Sequence, residues 1–103
     1  MTNNATNIKA SAGQVYGYDI SNTNAAWRYV KLYNKATAPA PAADTGLLIR
    51  TIGIPPGGKA SLHLENGLAG FAAGISIVAV VGIADNDNTS VGASDLSIDI
   101  DWK

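Results

Sequence analysis

The chain has no cysteine, a single histidine and few charges: only 15% of its 103 residues are ionised. Without cysteine there is no disulfide framework and no thiolate metal site, and small secreted domains usually lean on such staples. The shortage of charge says more. Ordinary soluble domains carry about 25% charged residues, so 7 basic and 8 acidic side chains leave this chain little with which to solvate a surface. The simplest physical remedy is to cover part of that surface with further copies or with another protein. A net charge of −1 and the absence of any basic cluster exclude the electrostatic footprint of a nucleic-acid binder. The opening residues MTNNATNIKA lack the basic and apolar regions of a signal peptide, which predicts synthesis in the cytoplasm.

Chemical constellations are equally scarce. There is no GxSxG, P-loop, HExxH or dinucleotide fingerprint. His63 falls on the polar side of its segment, with no nucleophile or orienting acid that the sequence places beside it. Asp85-Asn86-Asp87-Asn88-Thr89 begins like a calcium loop, but Ser90 and Leu96 stand where that loop needs glycine and a bidentate glutamate. It reads instead as Asx-type turn chemistry. Asp95, Asp99 and Asp101 resemble paired carboxylates of glycoside hydrolysis, yet Asp99 and Asp101 share the solvent side of a strand, where charge blunts edge pairing. Neither Gly57-Gly58 nor the Gly67/Gly70/Gly74 series opens a helix, so neither cradles phosphate. The reading is a non-enzymatic protein with no cofactor and no metal.

What is present is strand signal. The length suits one domain, and turn-formers cut the chain into short segments whose apolar residues recur with a period of two. Residues 1–7 read as a flexible arm and 8–103 as the domain. A strand starts near Ile8, and Gln14–Ser21 sets Tyr16, Tyr18 and Ile20 against Val15, Gly17 and Asp19. After a turn at Ser21–Asn24, Ala25–Asn34 carries Trp27, Tyr29 and Tyr33 on one face and Val30 and Leu32 on the other. Ala36–Thr45 is a proline-containing loop. Gly46–Ile54 is a strand, and Pro55-Pro56-Gly57-Gly58 a turn. Lys59–Glu65 alternates cleanly with Ala60, Leu62 and Leu64 inward, and Asn66-Gly67 ends it. Leu68–Ala73 has room for at most one helical turn. Ile75–Ala84, almost wholly apolar, reads as a strand covered on both faces. Leu96, Ile98, Ile100 and Trp102 alternate with polar residues to close the chain. The uncharged run Gly67–Ala84 approaches the lower limit of a membrane span. Its glycines, the acidic turn after it and the lack of flanking basic residues favour a core strand over a membrane helix. The expected architecture is all-β, a single-domain β-sandwich or jelly-roll-like barrel of roughly six to eight short antiparallel strands.

The aromatic face of Trp27, Tyr29 and Tyr33 stands out, because its strand is apolar on both sides. Three fates compete for it: the inner side of a second sheet, a subunit interface, or a platform on which sugars stack. Lys31 sits among these rings and must snorkel or pair if the face is covered. Trp27, Tyr29, Lys31 and Tyr33, with Arg50 on the next strand, form the candidate interface.

The run Tyr29-Val-Lys-Leu-Tyr-Asn-Lys-Ala-Thr-Ala-Pro39, then Asp44-Thr45 and Thr51-Ile-Gly-Ile-Pro-Pro-Gly-Gly58, resembles a group of small proteins encoded in tailed-phage and prophage genomes. Phe71-Ala-Ala-Gly-Ile-Ser-Ile, the Ala84–Thr89 turn and the closing Asp95–Lys103 fit the same group. The resemblance implies a virion protein, with capsid decoration (cement) first and a tail or neck component next. It further implies a homo-oligomer, expected to be a trimer, partnered by the major capsid protein or another virion protein, without nucleic acid or membrane. No catalytic or ligand residue comes with it.

Overall fold

Aromatic and β-branched residues between short clusters of glycine, proline and asparagine break the chain into extended segments. The computed structural model describes residues 5–40, 42–84, 91 and 96–103. Its strands are β1 (Thr6–Lys9), β2 (Gly13–Asn22), β3 (Arg28–Tyr33), β4 (Leu48–Ile54), β5 (Lys59–Phe71), β6 (Ile75–Val80) and β7 (Leu96–Trp102). They form two sheets, ordered β1-β6-β3-β4 and β5-β2-β7, in which every pairing is antiparallel. The all-β, single-domain sandwich expected from the sequence is what the chain adopts. No helix among the described residues is long and apolar enough to cross a membrane; the uncharged 67–84 run supplies the end of β5 and all of β6 instead.

The topology has a simple logic. Three stretches, β2–β3, β4–β5 and β6–β7, each give one strand to each sheet. β2–β3 is central in both, flanked by β4–β5 on one side and β6–β7 on the other. The chain therefore folds a three-legged ribbon over on itself, so one end of the sandwich holds the corners at 23–27 and 55–58 and the residues that follow β6 at 81–84. Between the sheets lies the main core: Val15, Tyr18, Ile20, Val30, Leu32, Ile52, Ile54, Phe71, Ile75, Ala79 and Val91. Leu96, Ile98 and Ile100 of β7 pack against it, as their alternation requires, whereas Trp102 ends outside it and exposed.

Asn22 joins two of the corners. It is 2% exposed, and its Nδ2 donates toward the carbonyls of Ala26 (2.9 Å), Ile54 (3.1 Å) and Pro55 (3.2 Å). Its Oδ1 accepts from the Asn24 N–H at 2.9 Å. Backbone bonds from Asn22 N to Gly58 O and from Gly57 N to Asn24 O complete the tie. Gly57, at φ 65°, supplies the left-handed position of the expected Pro55–Gly58 turn.

Several boundaries move from where periodicity puts them. β5 does not stop at Asn66-Gly67 and no helical turn follows; it runs to Phe71. Gly17 pairs with His63 and Val15 with Leu68, so β5 spends more residues than β2 between the same two rungs. Gly67, at φ 75°, lies in that interval, and Gly70, at φ 111°, in a second one between the Leu68 and Phe71 rungs, making bulges rather than an end. The first of these irregularities shifts the phase of β2. Val15 is buried with Tyr18 and Ile20, while Tyr16 leaves that face and donates to Gln14 Oε1 at 2.5 Å. β6 is covered on both faces as expected, but it ends at Val80, and Ile83 is 66% exposed. β4 starts at Leu48 after a 3-10 turn over Thr45–Leu47. Of the expected arm, residues 1–4 lie outside the described residues, and Thr6 and Asn7 already belong to β1. The Asp85–Ser90 turn and Asp95 also lie outside them.

Candidate interaction surface

β3 carries apolar residues on both faces, so its second face must be dealt with somewhere. Val30 and Leu32 enter the main core. On the opposite side, Tyr33 packs with Val78 and Val80 of β6, bordered by Ala5, Tyr29 and Leu48. This second layer is closed by the chain's own loops, a fate different from a second sheet. Lys31 and Tyr33 are both fully buried. Lys31 resolves its placement by pairing, its Nζ donating to the carbonyl of Ala84. Ser76, on the same side of β6, has its Oγ 2.8 Å from the carbonyls of Lys35 and Thr37 and accepts from Asn7 Nδ2 at 2.9 Å. Gly74 lets these backbones meet. A Cβ there would lie 2.6 Å from the carbonyl oxygens of both Lys9 and Lys35.

The covering loop is itself organised by one carboxylate. Asp44 Oδ2 accepts from Lys35 Nζ at 2.5 Å and from the Ala40 N–H at 2.8 Å. The Lys35 ammonium foremost, and then the Ala40 N–H, hold its carboxyl below the usual value, against an opposing effect of burial.

The five residues expected to form an interface therefore divide. Lys31 and Tyr33 lie beneath the loops, whereas Trp27, Tyr29 and Arg50 reach the surface to differing degrees. Trp27 immediately precedes β3 and is 50% exposed. Its ring stacks on that of Tyr29, with centroids 6.4 Å apart and planes 18° from parallel. Both rings lie over Gly53 of β4, the cross-strand partner of Tyr29: a Cβ at Gly53 would sit 3.2 Å from Tyr29 and 3.5 Å from Trp27. A glycine beneath aromatics is a recognised way to seat a ring flat on a sheet. The loop that presents Trp27 is fixed by Asn22 and by Asn24, whose Oδ1 accepts from the Ala26 N–H at 3.0 Å. Arg50 is exposed on β4, which has a strand neighbour on one side only among the described residues.

Two further large apolar side chains are exposed, and local sequence pattern does not reveal them. Leu47, just before β4, is exposed, and Ile83 lies in the corner after β6. A strand period extended through them hides both, because each sits beyond the end of its strand. On the far sheet, Asp19, His63 and Ser61 face solvent, with Ser61 Oγ donating to Asp19 Oδ1 at 2.6 Å. The His63–Asp19 separation of 4.0 Å between exposed groups has little energetic weight. Among the described residues no three of His, Cys, Asp or Glu gather to hold a metal ion. Comparison with known proteins finds no matching family model, no similar curated protein and no similar solved structure.

Proposed function

We propose that the chain is a non-enzymatic structural protein that works by packing against copies of itself and against a larger assembly. The assembly suggested by the sequence resemblance is a tailed-phage particle, where the chain would act as a capsid decoration protein. The observation that carries the reading is the rigidly presented Trp27–Tyr29 stack. Trp27 belongs to neither core cluster, so holding half of an indole in water adds nothing to the interior and is unfavourable for an isolated monomer. Tryptophan, tyrosine and arginine are the residue types that dominate binding energy at protein interfaces, and Trp27, Arg28 and Tyr29 are consecutive. The low charge of the whole chain acts in the same direction. The test is to assemble particles with a tagged chain, wild type or Trp27→Ala, and to measure its copy number by electron microscopy and quantitative mass spectrometry. The reading expects many symmetric copies of wild type and strong depletion of the variant. Absence of wild-type protein from the particles removes the virion role.

One observation favours a second reading, a carbohydrate-binding module. A nearly flat, half-open indole backed by a second ring is the geometry on which the C–H face of a sugar stacks. Glycan-array binding that Trp27→Ala abolishes, with circular dichroism unchanged, would select it over the first.

A further inference from the structure

Every open sheet has edges, and an unprotected edge is a template for another strand. Among the described residues this sandwich has four, and three carry recognised safeguards along their length. β1 is four residues long, has a register irregularity and ends in Lys9. β5 is broken by the bulges at Gly67 and Gly70 and carries Lys59, His63 and Glu65. β7 turns Asp99 and Asp101 to solvent. β4, Leu-Ile-Arg-Thr-Ile-Gly-Ile, carries the single charge of Arg50 and one register irregularity, at Ile49 near its start; from Arg50 to Ile54 its register is regular. It is rich in β-formers and has no proline, the composition of a segment prone to pair with itself.

The surroundings of β4 are complementary end to end. Leu47 is exposed at its start, and the half-exposed Trp27 lies over Gly53 near its finish. An antiparallel match of β4 with β4 of a second copy, centred on Thr51, carries each Leu47 toward the Trp27 end of the other chain. It sets each Arg50 opposite Ile52 of the second copy, so the like charges are not directly opposed. We infer that β4 is a two-fold pairing edge, joining the four-stranded sheets of two copies into one continuous sheet. The inference rests on the self-association reading above and adds to it a partner, a strand and a symmetry. A two-fold contact of this kind yields even-numbered assemblies, which departs from the trimer implied by the sequence resemblance.

Hydrogen–deuterium exchange of the full chain, combined with light-scattering mass, separates the possibilities. Amides of β4 that do not bond to β3 are open in a monomer and paired in the two-fold complex. The expected result is an even-numbered species in which those amides exchange about 10-fold more slowly, or slower still, than in dilute monomer. Leu47→Asp and Trp27→Asp, both outside the core, are expected to return the mass to one chain and the amides to fast exchange without altering the thermal transition. A trimer, or any oligomer whose outer β4 amides exchange as in the monomer, overturns the two-fold edge while leaving self-association standing. A monomer at all concentrations overturns both.

Discussion

Replacing Asn22 by alanine tests the corner that holds the two sheets in register. The side chain has two protons to donate, shared among the carbonyls of Ala26, Ile54 and Pro55, and its oxygen accepts one N–H from Asn24. That makes three bonds lost at a site only 2% exposed. At about 1 kcal/mol net per bond, the expected loss is about 3 kcal/mol. Against the total of roughly 5–15 kcal/mol typical of a domain, this is a large fraction. With roughly 4–8 °C of melting temperature per kcal/mol for a domain of this size, Tm should fall by roughly 12–24 °C. Calorimetry and urea titration at neutral pH measure both quantities. Asn22→Asp sharpens the test. It keeps an acceptor for Asn24 but turns negative oxygens toward three carbonyls, so it should be less stable than Asn22→Ala at pH 7. A loss below about 0.5 kcal/mol in Asn22→Ala, the level of an ordinary surface change, would show that the amide does not join the corners.

Gly74→Ala should cost about 2–3 kcal/mol, because the carbonyls it meets belong to the backbone and have no rotamer to escape into; Ala72→Ser, exposed two residues earlier, is the control, and urea midpoints compare them. Val80→Asp puts a carboxylate into the fully buried second layer, with an expected penalty of about 4 kcal/mol or failure to fold, read by circular dichroism and denaturant titration. The Asp44 carboxyl titrates below its usual value, so its contribution is complete above the unfolded carboxyl value of about 3.9 and disappears as pH falls through the lower folded value. Asp44→Asn should therefore lower stability at pH 7 by about 1–2 kcal/mol and reduce the loss of stability on acidification below about pH 4, measured as Tm against pH.

Much of this architecture was legible in the residues. The alternation of Leu96, Ile98 and Ile100 placed β7 on the core, and the Pro-Pro-Gly-Gly turn fell where its backbone chemistry demands. The continuous apolar run of β6 correctly implied cover on both faces. The misplacements share a cause: local pattern does not carry non-local contacts. Asn66-Gly67 reads as a strand end because a left-handed glycine either stops a strand or bulges it, and only the partner β2 decides which. A period of two groups Tyr16 with Tyr18, because the resulting change of phase has no signature in it. Asn22 lay inside a turn cluster, and the carbonyls that give it its role are distant in sequence. The candidate surface was legible in part. Trp27 and Tyr29 were found by their residue type, but nothing local indicated that the loops would close over Lys31 and Tyr33, or that Gly53 would seat the two rings.

Sedimentation equilibrium of the unmodified chain from micromolar to millimolar concentration addresses the functional account directly. If this surface exists to be covered by its own kind, the apparent mass must climb above the 10.6 kDa of one chain as concentration rises, and Trp27→Asp must suppress the climb. A mass that stays at one chain throughout contradicts it.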